Sequence, residues 1–339
     1  MPATKNKKNT GWVMLNADLT KHGIEKSFWA NLEYRLGKDK YTATKEDRFM
    51  ALALTLRDRL IERWLVTQQS LHDANLKRVY YLSLEFLVGR LFEANMLNLG
   101  LEGEVRKVIK GLGIDLDELM ESEADAGLGN GGLGRLASCF LYSMATQAIP
   151  AHGYGIRYDY GIFKQKIING NQVELPDAWL SKDSPWEFAR PEYTVRVHFF
   201  GRTNMFCDQK GKLRVQWIDT TDVLAKPYDI PIVGYKNNFV NTLKLWSAHS
   251  SDEFDLEYFN HGDYERAVHD KIYTETISKV LYPNDNNPSG KILRLAQEYF
   301  FCAASLSDII RRFKTDNSDL KNLKKKQLFR KTIRIRLLP

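Results

Sequence analysis

The densest cluster of residues able to do chemistry is Asp125-Ala-Gly-Leu-Gly-Asn-Gly-Gly-Leu-Gly-Arg135, five of whose residues are glycines packed between Gly127 and Gly134, just ahead of helical sequence. Glycines let a backbone approach a ligand and present its N–H groups, and the positive end of the following helix favours an anion by about 0.3–1 kcal/mol. A phosphate oxygen is the natural guest. A glycine-rich packing turn where two helices cross is the alternative. Gly127, Gly129 and Gly132 satisfy GxGxxG, but the residues before them are acidic and helical in character, so the strand that a dinucleotide fold requires is missing.

Two more stretches combine polar groups with constrained backbone. Asn284-Asp285-Asn286-Asn287 lies between Pro283 and Pro288. Each proline pushes its predecessor out of the α region, and Asn and Asp bond to their own backbone in turns, so this is a loop. Its short side chains could reach sugar hydroxyls, or it is an ordinary capped connection between helices. In Tyr80-Tyr-Leu-Ser-Leu-Glu-Phe-Leu-Val-Gly-Arg90, Glu85 and Arg90 sit among apolar neighbours, which predicts a core ion pair ahead of a catalytic carboxylate. Seven histidines form no HxxxH and no Ser–His–Asp order, so neither a metal site nor a nucleophilic triad is read. Cys139, Cys207 and Cys302, 68 and 95 residues apart, fit neither a disulfide framework nor a CxxC knuckle and are expected as buried free thiols.

The elements that must position these groups begin with Phe49, Leu52, Ala53, Leu56, Leu60 and Trp64, whose steps of three or four mark a helix stripe running to about Ser70. Val79–Leu82 has the β-branched and aromatic content of a short buried strand. Helices are expected over 87–97 and 135–148, with acidic helical sequence over 115–122. From about residue 152 the period changes, and Asn169-Gly170 between β-formers signals a hairpin. Strands are expected over 194–200 and 213–219 in a mostly antiparallel region, and helices over 263–281 and 291–314. Beyond Lys314 nothing periodic is read, and 315–339 looks like an unpacked basic end.

The chain has 339 residues, 43% apolar and 12% aromatic, enough for a large core. Its net charge of +7 comes from 49 basic and 42 acidic residues; 311–339 alone carries eleven Lys or Arg against two Asp, leaving the remainder slightly acidic. That balance speaks against a basic nucleic-acid-binding body, and a charge run such as Lys324-Lys-Lys is ordinarily just solvated. No apolar run reaches the roughly 18 residues of a membrane span and no apolar segment follows the polar start, so a cytoplasmic location is expected. Thr10 after Lys7-Lys8-Asn9 is a weak basic-directed phosphorylation pattern; a polar end is the plainer reading. No carboxylate pair at glycosidase separation can be picked out.

Taken together, YYLSLEFLVGR, DAGLGNGGLGRLASCFLYSMAT and LYPNDNNPSGK resemble the amino-terminal half of the α-glucan (glycogen and starch) phosphorylases, and GYGIRYDYGIFKQKI, RPEYTVRVHFFGR, GYKNNFVNTLKLWSA and QEYF with DIIRRFK match in the same order. The resemblance covers about Ala43 to Lys314. It implies an α/β fold, the large amino-terminal domain of a two-domain, glycosyltransferase-B-like enzyme, with helices and a mixed β-sheet region and without the second domain. The division is then a 1–42 arm, a 43–314 phosphorylase-like domain and a 315–339 basic tail.

The resemblance further implies phosphorolysis of α-1,4-glucan by inorganic phosphate to glucose 1-phosphate, a homodimer, and pyridoxal phosphate acting through its phosphate. Gly132, Leu133 and Gly134 then face the substrate phosphate beside Asn130, while Asp285 and Asn286 lie on a mobile loop at the glucosyl unit. Trp64, Gln68, Gln69, Arg311 and Arg312 match a nucleotide-effector site of animal members, although His72 stands where those members carry Tyr. Departures lie towards the end: no Gly-Thr-Gly-Asn-Met-Lys-like cofactor motif and no Asn-Asp-Thr-His-Pro segment occurs in the chain. A truncated or frame-disrupted product, inactive alone, is expected; a glucan-binding or dimerising fragment is the alternative.

Overall fold

The computed structural model describes residues 17–251, 254–316, 320–323 and 327–332. Thr10 and Lys324–Lys326 lie outside them. The first helix, α1 (Lys21–Ala30), is capped by Thr20, whose hydroxyl accepts the Gly23 N–H at 3.2 Å. A π-helical turn over Asn31–Arg35 follows. Four-residue spacing puts Ile24, Phe28 and Leu32 on one face, and all three are buried in the main core. The stretch from Lys21 is therefore packed into the body, not extended as an arm.

The helix read from the Phe49–Trp64 stripe is α2 (Lys45–Asp73), longer than expected at both ends. Thr44 and Asp47 close a capping box there, with the Thr44 N–H on Asp47 Oδ2 at 2.9 Å. Strand β1 (Arg78–Ser83) leads through a loop to α3 (Leu91–Leu99), α4 (Glu102–Gly111), α5 (Leu116–Met120) and α6 (Gly131–Thr146). Next come β2 (Ala151–Ile156), the hairpin β3 (Lys164–Ile168) and β4 (Asn171–Leu175), β5 (Phe188–Ala189) and β6 (Val195–Phe199). A second hairpin, β7 (Arg202–Cys207) and β8 (Leu213–Ile218), precedes the long strands β9 (Thr221–Val233) and β10 (Val240–Ser250). Helices α7 (Leu256–Asn260), α8 (Arg266–Glu275) and α9 (Pro288–Asp316) and strand β11 (Gln327–Thr332) complete the described chain.

Seven strands form one mixed sheet in the order β11-β1-β2-β10-β9-β5, with β6 also on β9. The strands β11, β1, β2 and β10 run parallel, whereas β9 is antiparallel to β10 and carries β5 and β6 antiparallel to itself. Parallel strands need both faces covered, and β2 and β10 are buried almost throughout. Along β2 the faces alternate. Gly153 lets Leu141 of α6 lie against one face, and Tyr154 on the other donates its hydroxyl to Asp308 of α9 at 2.8 Å. Trp246 of β10 reaches α9 too, through Nε1 to Ser305 at 3.1 Å.

Some expectations hold and others change. The region after residue 152 is mostly antiparallel as read, with β2 alone of the strands β2–β10 paired only in parallel. The stretch 315–339 contains β11, paired with β1 from Arg78↔Gln327 to Ser83↔Thr332, so it is not wholly an unpacked end. The Asn169-Gly170 hairpin forms as read, with both residues at positive φ. Cys139 and Cys207 are exposed and Cys302 is partly covered: the three cysteines form no disulfide with one another, but they are not buried.

Candidate active site and effector cavity

Helix α6 runs back to the sheet and delivers β2, so its N-terminus lies at the carboxyl end of the parallel strands, where open α/β sheets place ligands. The helix begins at Gly131, four residues before the expected start, since packing overrides the poor helix propensity of glycine. No side chain caps it. Among the described residues, no acceptor outside the helix is found for the N–H groups of Gly131, Gly132 and Leu133. Asn130, Gly131 and Gly132 are exposed, Leu133 is half-buried and Gly134 is buried.

The segment after β1 braces this turn. Phe86 N–H donates to Leu128 O at 2.8 Å and Leu87 N–H to Gly134 O at 3.0 Å, while Arg135 Nη1 donates to Leu87 O at 3.3 Å. The carboxylate of Glu85, only 3% exposed, accepts the Asn130 N–H through Oε2 at 3.0 Å and the Tyr282 hydroxyl through Oε1. A Cβ on residue 134 would sit 3.2 Å from Glu85 Cβ and 3.3 Å from its Oε2, so only glycine fits there without displacement. The expected Glu85–Arg90 pair does not form. Gly89, at φ +74°, turns the chain outward, and Arg90 instead grips exposed Glu121 at 3.0 Å.

Tyr282 is the link between the two sequence-predicted parts of the site. It opens the loop that carries half-buried Asp285 and exposed Asn286, so the Glu85 carboxylate joins that loop to the α6 turn. Within the loop, Asn284 Oδ1 accepts the Asn286 N–H at 3.0 Å and Asn287 Oδ1 the Gly290 N–H at 2.8 Å. Of this link, sequence pattern singled out Glu85 alone; nothing near Tyr282 pointed to its partner 197 residues away.

Elsewhere, a cavity of about 440 Å³ is lined by Trp64, Gln68, Arg311 and Arg312, and also by His72, Arg78, His152, Arg190 and Tyr193. Gln69 is exposed on α2 and is not among the lining residues. Thr242 Oγ1 accepts from Trp64 Nε1 at 3.0 Å and from Gln68 Nε2 at 3.4 Å. Below the cavity, fully buried Asp308 binds Arg311 Nη2 at 2.6 Å and Arg312 Nε at 2.9 Å. Burial raises the Asp308 carboxyl, but Arg312 and Lys244 outweigh it and hold the group well below the carboxylate range. Burial also opposes the Arg312 charge, and Tyr154 and Asp308 overcome it. Arg311 stacks over Tyr193 at 4.2 Å, leaving a strongly basic wall.

An α/β sheet with uncapped amides at its carboxyl edge and a polar loop tied to that turn through Glu85 has the make-up of an anion-binding site. The family model for carbohydrate phosphorylases matches residues 109–331, extending beyond Lys314 into the basic stretch, and the chain belongs to that family. It is 56% identical over 292 residues to the human brain form of glycogen phosphorylase, covering 86% of this chain and 34% of that protein. The sheep liver form is 54% identical over 299 residues, 88% of this chain and 34% of the relative. The chain thus spans about a third of the length of these curated relatives.

Proposed function

We propose that the chain forms one wall of an α-1,4-glucan phosphorylase site, working on glycogen or starch with inorganic phosphate to give glucose 1-phosphate. The reading is carried by the uncapped amides of Gly131, Gly132 and Leu133 at the exposed start of α6, backed by Glu85 and joined through Tyr282 to the Asp285 loop. In it, the amides of Gly132 and Leu133 hold phosphate oxygens beside Asn130, and Gly134, buried as the fourth residue of α6, lets the turn pack on Glu85. Asp285 and Asn286 meet the terminal glucosyl unit. Fixed amides aimed at a dianion stabilise charge without reorganising, which an oxocarbenium-like sugar beside phosphate requires. A homodimer and a cytoplasmic location belong to the same reading. Among the described residues no helix is long and apolar enough to cross a membrane.

Pyridoxal phosphate does not fit the described residues. Lys244, the buried lysine among them, is paired with Asp229 at 2.6 Å on another part of the sheet, and the chain contains no Gly-Thr-Gly-Asn-Met-Lys-like stretch. We therefore assign the cofactor lysine to no residue of this chain. The Trp64 cavity, with Gln68, Arg311 and Arg312, is assigned to a phosphate-bearing nucleotide effector, with His72 in its wall and Gln69 outside it.

The test is a titration of the chain with inorganic phosphate, alongside Gly132→Pro. A side chain on residue 132 meets nothing within 4 Å, and proline is tolerated in a first helical turn, so the variant deletes one amide and keeps the helix. Loss of one hydrogen bond to a charged group should weaken phosphate about ten-fold or more. Equal affinity would exclude the amides as the anion site. The chain alone is expected to release no glucose 1-phosphate and to show no pyridoxal absorbance band; measured turnover would overturn that part.

A further inference from the structure

Where β6 edges the sheet, a cavity of about 500 Å³ opens between β6, β9, the end of α8 and the first turns of α9. Its wall is apolar, built from Phe199, Phe200, Val223, Ile292, Leu295 and Tyr299, and it shares no lining residue with the Trp64 cavity. Along α9, Ile292, Leu295 and Tyr299 are all exposed and follow one another at helical spacing, so the helix turns an apolar stripe to solvent where its outer face would ordinarily be polar. Phe199 lies beneath the stripe, edge-on to Tyr299 at 5.1 Å. Phe200 is held at φ +57° ahead of Gly201 at +74°, a pair of left-handed positions that Asn-Gly fills at little cost and a bulky aromatic residue does not. Its side chain is nevertheless 59% exposed at the cavity wall. A strained residue that displays an aromatic ring beside an apolar stripe calls for a partner that covers both.

At Thr221, Tyr273 and Thr274 this cavity runs into a second, polar hollow of about 650 Å³, which the same three residues also line. There Arg196 Nη1 donates to Asp222 Oδ2 at 2.7 Å, Thr220 Oγ1 donates to Asp222 Oδ1 at 3.0 Å, and His269 Nδ1 stands 3.2 Å from Asp270 Oδ1. An anion would find the Arg196 charge already answered, and a cation would find Asp222 likewise engaged. Hydroxyl groups, which donate to a carboxylate and accept from a guanidinium, suit this surface better than a net charge. We propose that the joined cavities bind a neutral amphiphile, its aliphatic or aromatic body between Phe200 and the α9 stripe and its hydroxyl-rich head at Arg196 and Asp222. An apolar chamber with a few convergent polar groups is the usual form of a small-molecule site. Removing the stripe and the Phe200 ring from water drives the binding, and the head fixes the orientation. The site stands independently of the phosphate reading of α6.

The probe is octyl glucoside below its micelle concentration, titrated by calorimetry into the full chain beside octanol, octanoate, octylammonium, glucose and maltoheptaose. Saturable binding of one glucoside is expected, about ten-fold tighter than octanol through the hydrogen bonds of the head and tighter than either charged analogue, with no measurable binding of glucose. Bound glucoside should slow hydrogen exchange about three-fold or more in peptides covering 266–280 and 288–300 and leave α2 unchanged. Ile292→Glu puts a charge into the apolar wall at an exposed position and should weaken the glucoside about ten-fold or more. Phe200→Asn suits the left-handed turn, so it should unfold at no lower urea concentration than the wild type and yet bind at least about three-fold more weakly. Absence of saturable binding, unchanged exchange in the two peptides, or unchanged affinity in either variant overturns the proposal. So does octanoate or octylammonium that matches the glucoside, which would mean a charged head, or maltoheptaose that matches it, which would mean a glucan surface. Affinity that falls as protein concentration rises also overturns it, since a second copy would then cover the stripe.

Discussion

Replacing His152 with Phe should remove an acid weakness built into the sheet. His152 lies on β2, 7% exposed, with its ring stacked on Tyr80 at 5.8 Å and 16° and no hydrogen-bond partner for Nδ1. Burial, then Arg312 and Arg78, with a smaller contribution from Lys244, keep the imidazole neutral; the opposing pull of Asp308 is too weak to reverse them. Its pKa in the fold is held well below the ordinary 6.5. On unfolding the residue is free to protonate near 6.5, so the unfolded state binds more protons below that pH. The folded state is therefore unpenalised above 6.5 and loses stability as pH falls below it, until the folded group itself titrates. The slope is about 1.4 kcal/mol per pH unit, or roughly 2 kcal/mol between pH 6.5 and 5. Urea unfolding followed by tryptophan fluorescence at several pH values measures it, with Phe keeping the stack on Tyr80. The variant should gain about 2 kcal/mol on the wild type across that range. A stability difference that stays flat from pH 7 to 5 would refute a buried neutral His152.

Asp308→Ala strands the half-buried Arg312 charge and should cost about 3 kcal/mol in urea unfolding; a loss below about 1 kcal/mol would mean the pair is screened by solvent. Because the Asp308 pKa is depressed, its stabilisation is complete above the ordinary 3.8 and disappears on acidification below it, so wild type and Asp308→Asn should converge only at the acid end. Gly290→Ala drives a methyl into the Asn284 carbonyl and should destabilise by about 1–3 kcal/mol, with faster exchange confined to the 284–290 loop. Arg311→Ala should weaken a nucleotide titrated against Trp64 fluorescence about ten-fold, and unchanged affinity would remove the effector assignment.

Local chemistry made some parts of this molecule readable before any coordinates. The α2 stripe from Phe49 to Trp64 needs only 3.6-residue periodicity, and Asn169-Gly170 needs only the positive φ that both residues tolerate. Strands β9 and β10, the longest in the sheet, were not foreseen. Pro227 and Pro231 interrupt the β9 signal, and the fold tolerates them because they lie opposite Trp246 and Thr242 in a strand whose other edge is only partly paired. Strand β11 sits in a basic, aperiodic stretch where only pairing with β1 gives it a structure.

The candidate site divides in the same way. Glycine density and a following helix made 127–134 a candidate anion cradle, because backbone exposure and helix polarity are properties of a few consecutive residues. Which charge stands behind that cradle was a tertiary matter. Glu85 was expected to take Arg90, five residues on, but the turn at Gly89 separates them and folding brings Tyr282 to it instead. The Arg311, Arg312 and His152 cavity likewise draws on α9 and β2, which meet only when the sheet is covered. Sequence alone determined which short segments can form a turn, a cap or a stripe, since those energies act between near neighbours. Which buried charges are paired, and which loop answers to which helix, was decided by the packed fold, because desolvation and hydrogen bonding depend on whatever the rest of the chain places within about 3 Å.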